Sequence, residues 1–332
     1  MYRKYSLFVV LLITLITTVT YAGQIFLTGT IFPWAAKKKV QPLEEIRIGL
    51  LPVEENLPFL VAQEKGYFKE SGLKVRFIPF SSALELNSAL QAKEIDGQVS
   101  DLVISAQLED NGFDVGIVSL CLGATGKEGR FALLTAPGST INKVEELAGV
   151  PIAISNNSIV EYVTDRLLAK GKVPPTERKY VLIRPLSIRM DMLLRGQVKA
   201  ATLPDPLAAS AVKAGARLLA DDTGDNLSQT FIVFRQAFLD AHPKEMKKFL
   251  SAYTLGVEEL NKNPEQYRKT LARQGGIPEN IAQSYSINKF PVPELPAQAD
   301  VDKVLNWMKK RGIVSSEIVY EKLVDQRFCP KR

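Results

Sequence analysis

The chain has 332 residues, 46% of them apolar and 23% charged, with a formal net charge of +6. That is the composition of a soluble globular protein and is long enough for two lobes, each with its own core. No basic stripe interleaved with aromatics is present, which argues against a nucleic-acid partner, and two cysteines, Cys121 and Cys329, make no disulfide framework.

The first stretch departs from that composition. After Arg3 and Lys4, Tyr5 to Ala36 carries no charge. Leu7 to Ile16 is the apolar run of a secretory signal, and Thr20-Tyr21-Ala22 has the small-residue spacing of a cleavage site. The uncharged run continues to Lys37-Lys38-Lys39, longer than the ~20 residues that span a bilayer. Residues 1–36 are therefore expected to be a cleaved signal peptide or a retained membrane anchor.

Beyond the leader, strand and helix patterns alternate. Ile46 to Leu51 reads as a strand, Pro58 to Lys69 as a helix, Lys74 to Phe80 as a strand and Ser82 to Lys93 as a helix. Strands are expected at Gly97 to Leu102, Asp114 to Leu120 and Arg130 to Thr135. A second alternation runs through strand Pro151 to Ile154, helix Ser158 to Lys170, strand Tyr180 to Ile183, helix Ile188 to Arg195 and strand Lys199 to Leu203. Helix Leu207 to Lys213, strand Ala216 to Leu219 and an extended Gln229 to Phe234 complete it. From Pro243 the chain is helical, apart from a loop with three prolines at Phe290 to Pro296.

Such alternation implies an α/β fold of mostly parallel sheets flanked by helices. The helical tail has no strands of its own and is expected to pack on the first block. That gives a discontinuous first lobe, residues 44–129 plus 236–332, and a second lobe, residues 136–231. Hinge crossings are expected near 130–136 and 231–236, with a cleft between the lobes.

Four segments carry a family resemblance. Leu57-Pro58-Phe59-Leu60-Val61-Ala62-Gln63-Glu64-Lys65-Gly66-Tyr67-Phe68, followed by Gly72-Leu73-Lys74-Val75, is the first. Val144-Glu145-Glu146-Leu147-Ala148-Gly149 with Ile152-Ala153-Ile154-Ser155 is the second, and Met192 to Ala201 the third. Leu203-Pro204-Asp205-Pro206 with Gly215 to Asp221 is the fourth. In this order they resemble the type II periplasmic-binding superfamily, in particular its nitrate/sulfonate/taurine and thiamine-pyrimidine-precursor group. Lys199 replaces that group's usual acid. The resemblance implies a two-lobed, extracytoplasmic solute-binding subunit of an ABC importer. Its partners would be a small ligand and a permease with its ATPase subunit, the protein itself a monomer.

Ligands in open α/β sheets sit beyond the carboxyl ends of strands, where helix N-termini present free N–H groups. Ser81 and Ser82 stand at one such place and Asn156, Asn157 and Ser158 at another. Ser82 with Glu85 and Ser158 with Glu161 have capping-box spacing, so helix capping is the competing role. Glu54, Glu55 and Asn56 follow the first strand, where the resemblance puts ligand contacts; two acids there favour a ligand with donors over a bare oxyanion. Asp101 ends a strand, Asp205 lies between two prolines where it could instead brace a turn, and Tyr162 could stack on a planar ligand or pack in the core.

No catalytic or cofactor set accompanies them. His242 is the single histidine and has no second ligand at metal spacing, so neither a metal nor a cofactor is expected. Gly123-Ala124-Thr125-Gly126-Lys127 fails the phosphate-loop pattern at Cys121 and Glu128. An importer's binding protein for a pyrimidine, sulfonate, nitrate or amino acid leads. A membrane-anchored sensor domain and an enzyme on the same fold are the alternatives.

Overall fold

The computed structural model describes residues 43–329 except Gly129, Gly276 and residues 315–317; the expected leader lies outside them. The chain from Leu43 onward is one compact unit. Among the described residues no helix is long and apolar enough to cross a membrane.

The first half runs β1 (Ile46–Leu50), a 3-10 turn (Glu54–Asn56), α1 (Leu57–Glu64), α2 (Tyr67–Glu70), β2 (Val75–Pro79), α3 (Ala83–Gln91), β3 (Gly97–Asp101), α4 (Leu102–Asp110) and β4 (Val115–Leu122). Gly66, at φ +83°, divides the single helix expected over 58–69 into α1 and α2, because only glycine adopts that conformation without a Cβ clash. The second block holds β5 (Phe131–Thr135), β6 (Pro151–Ile154), α5 (Ile159–Lys170), β7 (Lys179–Leu182), α6 (Leu186–Leu194), β8 (Ala200–Pro204), α7 (Leu207–Lys213) and β9 (Arg217–Asp221). After β10 (Thr230–Arg235) come α8 (Gln236–Ala241), α9 (Pro243–Lys262), α10 (Arg268–Gly275), α11 (Glu279–Ala282), α12 (Gln298–Lys310) and α13 (Tyr320–Leu323).

Two five-stranded sheets result, in the orders β2-β1-β3-β10-β4 and β7-β6-β8-β5-β9. In each, four strands run in one direction and the fifth, β10 or β5, runs antiparallel between two of them. The fold is the expected two-lobed α/β architecture. Its crossings differ from expectation: residues 131–135 and 231–235 lie inside strands. The chain changes sheets through 123–130, between β4 and β5, and through 222–229, between β9 and β10. A buried apolar run looks the same in sequence whichever sheet it joins, which is why the expected positions fell late.

The crossings lie side by side. The Gly123 carbonyl accepts from Asn226 Nδ2 and Gln229 Nε2, each at 2.9 Å, and Gly224 N–H donates to the Gly126 carbonyl. A Cβ on Gly126 would lie 3.0 Å from Gly224 Cα, so close approach of two backbones explains this glycine.

The tail covers the first sheet. α9 packs on α1 and α2 through Met246, Phe249, Tyr253 and Val257, with Phe59 and Phe68 opposite. Gly256 permits this closeness, since a Cβ there would meet the Pro58 carbonyl oxygen at 2.3 Å. β4, an edge strand buried along its whole length, is shielded by the tail through the Ile117–Val324 bridge and the Leu120 N–H to Glu294 carbonyl bond.

Candidate functional site

Two adjoining cavities, of about 90 and 300 Å³, open where the strand ends of the two sheets face each other. They share Ala83, Asn87, Ile104, Ser155, Ser158 and Arg184. The first sheet's wall contributes Glu55 from the 3-10 turn and Asp101 from the end of β3, with Leu51, Val53 and Leu86. Phe131, Ile159, Leu186 and Pro204 come from the second sheet's side, and Thr230 from β10. The smaller cavity is mostly apolar, with few polar groups converging on it, as small-molecule sites usually are.

Opposite charges line opposite walls. On the second sheet's side, the start of α5 presents its first-turn N–H groups, and Arg184 donates to Asn156 Oδ1 at 2.9 Å. Behind them Arg189 is 0% exposed and has no carboxylate: it donates to the carbonyls of Ile183 at 2.8 Å and Thr202 at 2.9 Å, and to Ser155 Oγ. Burial pulls its guanidinium down to about 10, so it stays cationic at neutral pH. Ser155 accepts from Arg189, which leaves its own hydroxyl proton for the cavity it lines.

On the first sheet's side, burial pushes Glu55 up to about 7 and Asp101 up to about 6. Asp101 caps α4, accepting from Ile104 N–H at 3.0 Å. Glu55 is 7% exposed and among the described residues pairs with no basic side chain; its own N–H and the Thr230 hydroxyl are near it, and the neighbouring Asp205 carboxylate adds to the upward push. Thr230 Oγ1 makes no hydrogen bond of ordinary geometry although it is buried. Such a wall favours a ligand group that donates hydrogen bonds or carries positive charge.

The family model described as "NMT1/THI5 like" matches residues 54–267, which contain the cavity lining apart from Leu51 and Val53. The chain belongs to the NMT1/THI5-like family. A Bacillus subtilis (strain 168) protein named for aliphatic sulfonate binding is 25% identical over 306 residues, 87% of this chain and 88% of its own. Among solved structures, the alkanesulfonate-binding protein SsuA of Xanthomonas axonopodis pv. citri, bound to MOPS, is 20% identical with a TM-score of 0.73. The match covers 85% of this chain and 98% of that one. The periplasmic aliphatic sulphonate binding protein SsuA of Escherichia coli has a TM-score of 0.71 at 18% identity, over 87% of this chain and 94% of its own. These structural likenesses establish the fold.

In this NMT1/THI5-like chain, Glu55, Asp101 and Ser158 line the smaller cavity, and Asn156 and Asn157 the larger. The other expected contacts lie elsewhere. Glu54, 1% exposed, turns away from Glu55 and accepts from Asn288 of the tail; burial pushes it up to about 8. Asn56 donates to the Leu51 carbonyl and pins the turn. Ser82 caps α3, accepting from Glu85 N–H at 3.3 Å, and exposed Ser81 donates its N–H to Glu85 Oε2 at 3.1 Å. Asp205 holds Arg130 in a two-point ion pair at 2.7 and 2.9 Å and accepts from Ala209 N–H, bracing its turn. Tyr162 packs edge-on against Trp307 at 5.2 Å rather than facing the cleft. The second capping box does not form: Glu161 accepts from the N–H of Asn157, one residue before the cap, at 2.6 Å, while the Ser158 hydroxyl donates to the Ser155 carbonyl.

Arg184, Arg189, Ser155 and Thr230 escaped the sequence reading as contacts. Arg189 sits within a helical pattern of otherwise ordinary polarity, and nothing local marks it as buried. Ser155 directly follows β6, where sequence alone does not distinguish it from any other polar residue at a strand end.

Proposed function

We propose that this NMT1/THI5-like protein is the extracytoplasmic solute-binding subunit of an ABC importer and that it captures a small organosulfonate by closing its lobes. The observation that carries the reading is the polarised cleft: Arg184, Ser155 and the α5 start on one wall, Glu55 on the other, with apolar side chains between. A sulfonate spreads one negative charge over three acceptor oxygens, which suits a helix start and a guanidinium. The apolar lining suits a short carbon linker and disfavours bare nitrate. A donor or ammonium at the far end would meet Glu55.

The sulfonate-binding relatives support the ligand class. The ligand works by shifting the lobes toward the closed arrangement, which a permease then recognises. Binding without turnover is the reading, since the sulfonate-binding relatives are named for binding and, among the described residues, the cleft brings no nucleophile together with a base.

A thermal-shift panel tests it: ethanesulfonate, 2-aminoethanesulfonate, MOPS, nitrate, an aminopyrimidine and methionine. At a hundredfold excess over Kd a ligand of the native state adds about 2.7 kcal/mol. Stabilisation by sulfonates alone is expected. Stabilisation by the aminopyrimidine or methionine alone would replace the ligand class, and none from any compound would move the weight to a sensor domain.

A further inference from the structure

The tail helix α12 packs on α4 and α13, beside the first sheet, yet Trp307 in its last turn reaches Tyr162 and Asp165 of α5 on the second. Arg311, just past α12, places Nη1 2.6 Å from Asp165 and pairs through Nη2 with Glu161. Those two carboxylates are one helical turn apart on α5, 3% and 5% exposed, and would repel each other without a cation between them. Trp307 donates its indole N–H to the same Asp165 at 3.1 Å, and Tyr180 and Arg178 complete that carboxylate's surroundings.

Glu161 has a second oxygen, and it accepts the N–H of Asn157 at 2.6 Å. The carbonyl of Asn157 accepts from Gln107 of α4 at 2.7 Å. Asn157, at φ +49°, is thus held at both backbone polar groups, once directly and once through Arg311, by elements packed on the first sheet. Its neighbours are Asn156, the partner of Arg184, and Ser158, which lines the cavity.

We propose that Arg311 is a positioning residue for ligand binding: through Glu161 it sets the loop 155–158 and the first turn of α5 against the first lobe. It touches no ligand. A planar guanidinium can bridge both carboxylates at once, whereas a lysine ammonium reaches one. The inference rests on the binding reading only in its affinity arm.

The test compares the full chain with R311Q, R311K and, as a control on the same helix, K303Q. Hydrogen exchange without ligand is followed by mass spectrometry, and 2-aminoethanesulfonate and MOPS binding by calorimetry. For R311Q, exchange over residues 155–162 is expected to rise at least tenfold while residues 186–194 keep the parent rate. R311K should be intermediate and K303Q unchanged. Affinity should fall at least tenfold in R311Q. Unchanged exchange at 155–162, a uniform rise across 131–221, or parent-like affinity despite faster exchange would overturn the proposal. If the parent binds neither sulfonate, the ligand reading fails and the exchange arm still decides whether Arg311 positions the loop.

Discussion

In the 3-10 turn at 54–56 each residue advances about a third of a turn, so Glu54 faces the tail and Glu55 the cleft. Burial raises both carboxyls, but only Glu55 can gain a partner from a ligand. Glu54 keeps its proton up to about pH 8 when folded and releases it near 4.5 when unfolded. Between those values the folded state holds more protons, so this stabilisation is complete below pH 4.5 and fades as pH rises to about 8. The change is on the order of a few kcal/mol. Glu54→Gln is expected to flatten the fall in urea midpoint between pH 5 and 8, without abolishing it, because Glu55 and Asp101 act in the same direction. An unchanged slope would contradict the assignment. In the sequence Glu54, Glu55 and Asn56 stand together as the residues that follow the first strand, where the resemblance puts ligand contacts. Which one enters the cleft depends on Asn56 donating to Leu51 and on Asn288 arriving from 234 residues away.

At the scale of elements, the first sheet is stapled by one aspartate. Asp96, just before β3, accepts from Arg47 of β1 at its backbone N–H (2.9 Å), Nε (3.0 Å) and Nη2 (2.7 Å), and from Arg235 at the end of β10. Removing one side of a largely buried ion pair strands the other, so Asp96→Asn is expected to lower stability by about 2–3 kcal/mol, with an unchanged denaturant slope. A loss under 1 kcal/mol would show that the staple is dispensable. Most elements were legible because apolar periodicity switches between strand and helix spacing. Helix α4 was not: the strand expected over Gly97 to Leu102 takes in its first residue, and no helix is expected over 103–110. Its only local signal, Asp101 as cap, was read as a binding residue. It caps the helix and lines the cavity.

Over the whole molecule, the four motif segments gave the family and the fold because they mark the helix starts and turns that the two-sheet architecture requires. The cleft's cations were not legible, since Arg184, Arg189 and Arg311 gain their meaning from elements distant in sequence. The tail carries most of this information: it fills the first lobe's core, covers β4 and, through Arg311, reaches the wall of the cleft. The two sheets are therefore joined by two paired crossings at 123–130 and 222–229 and by a third junction at the end of α12.

The most direct measurement is calorimetric titration of ethanesulfonate and 2-aminoethanesulfonate into the parent and Glu55→Gln at pH 6 and pH 8. Ionisation of Glu55 near pH 7 sets the signs. The parent is expected to bind 2-aminoethanesulfonate more tightly at pH 8 and ethanesulfonate more tightly at pH 6, with both trends lost in Glu55→Gln. Binding of neither sulfonate, or the same pH dependence for both in parent and variant, would contradict a polarised sulfonate cleft closed over Glu55.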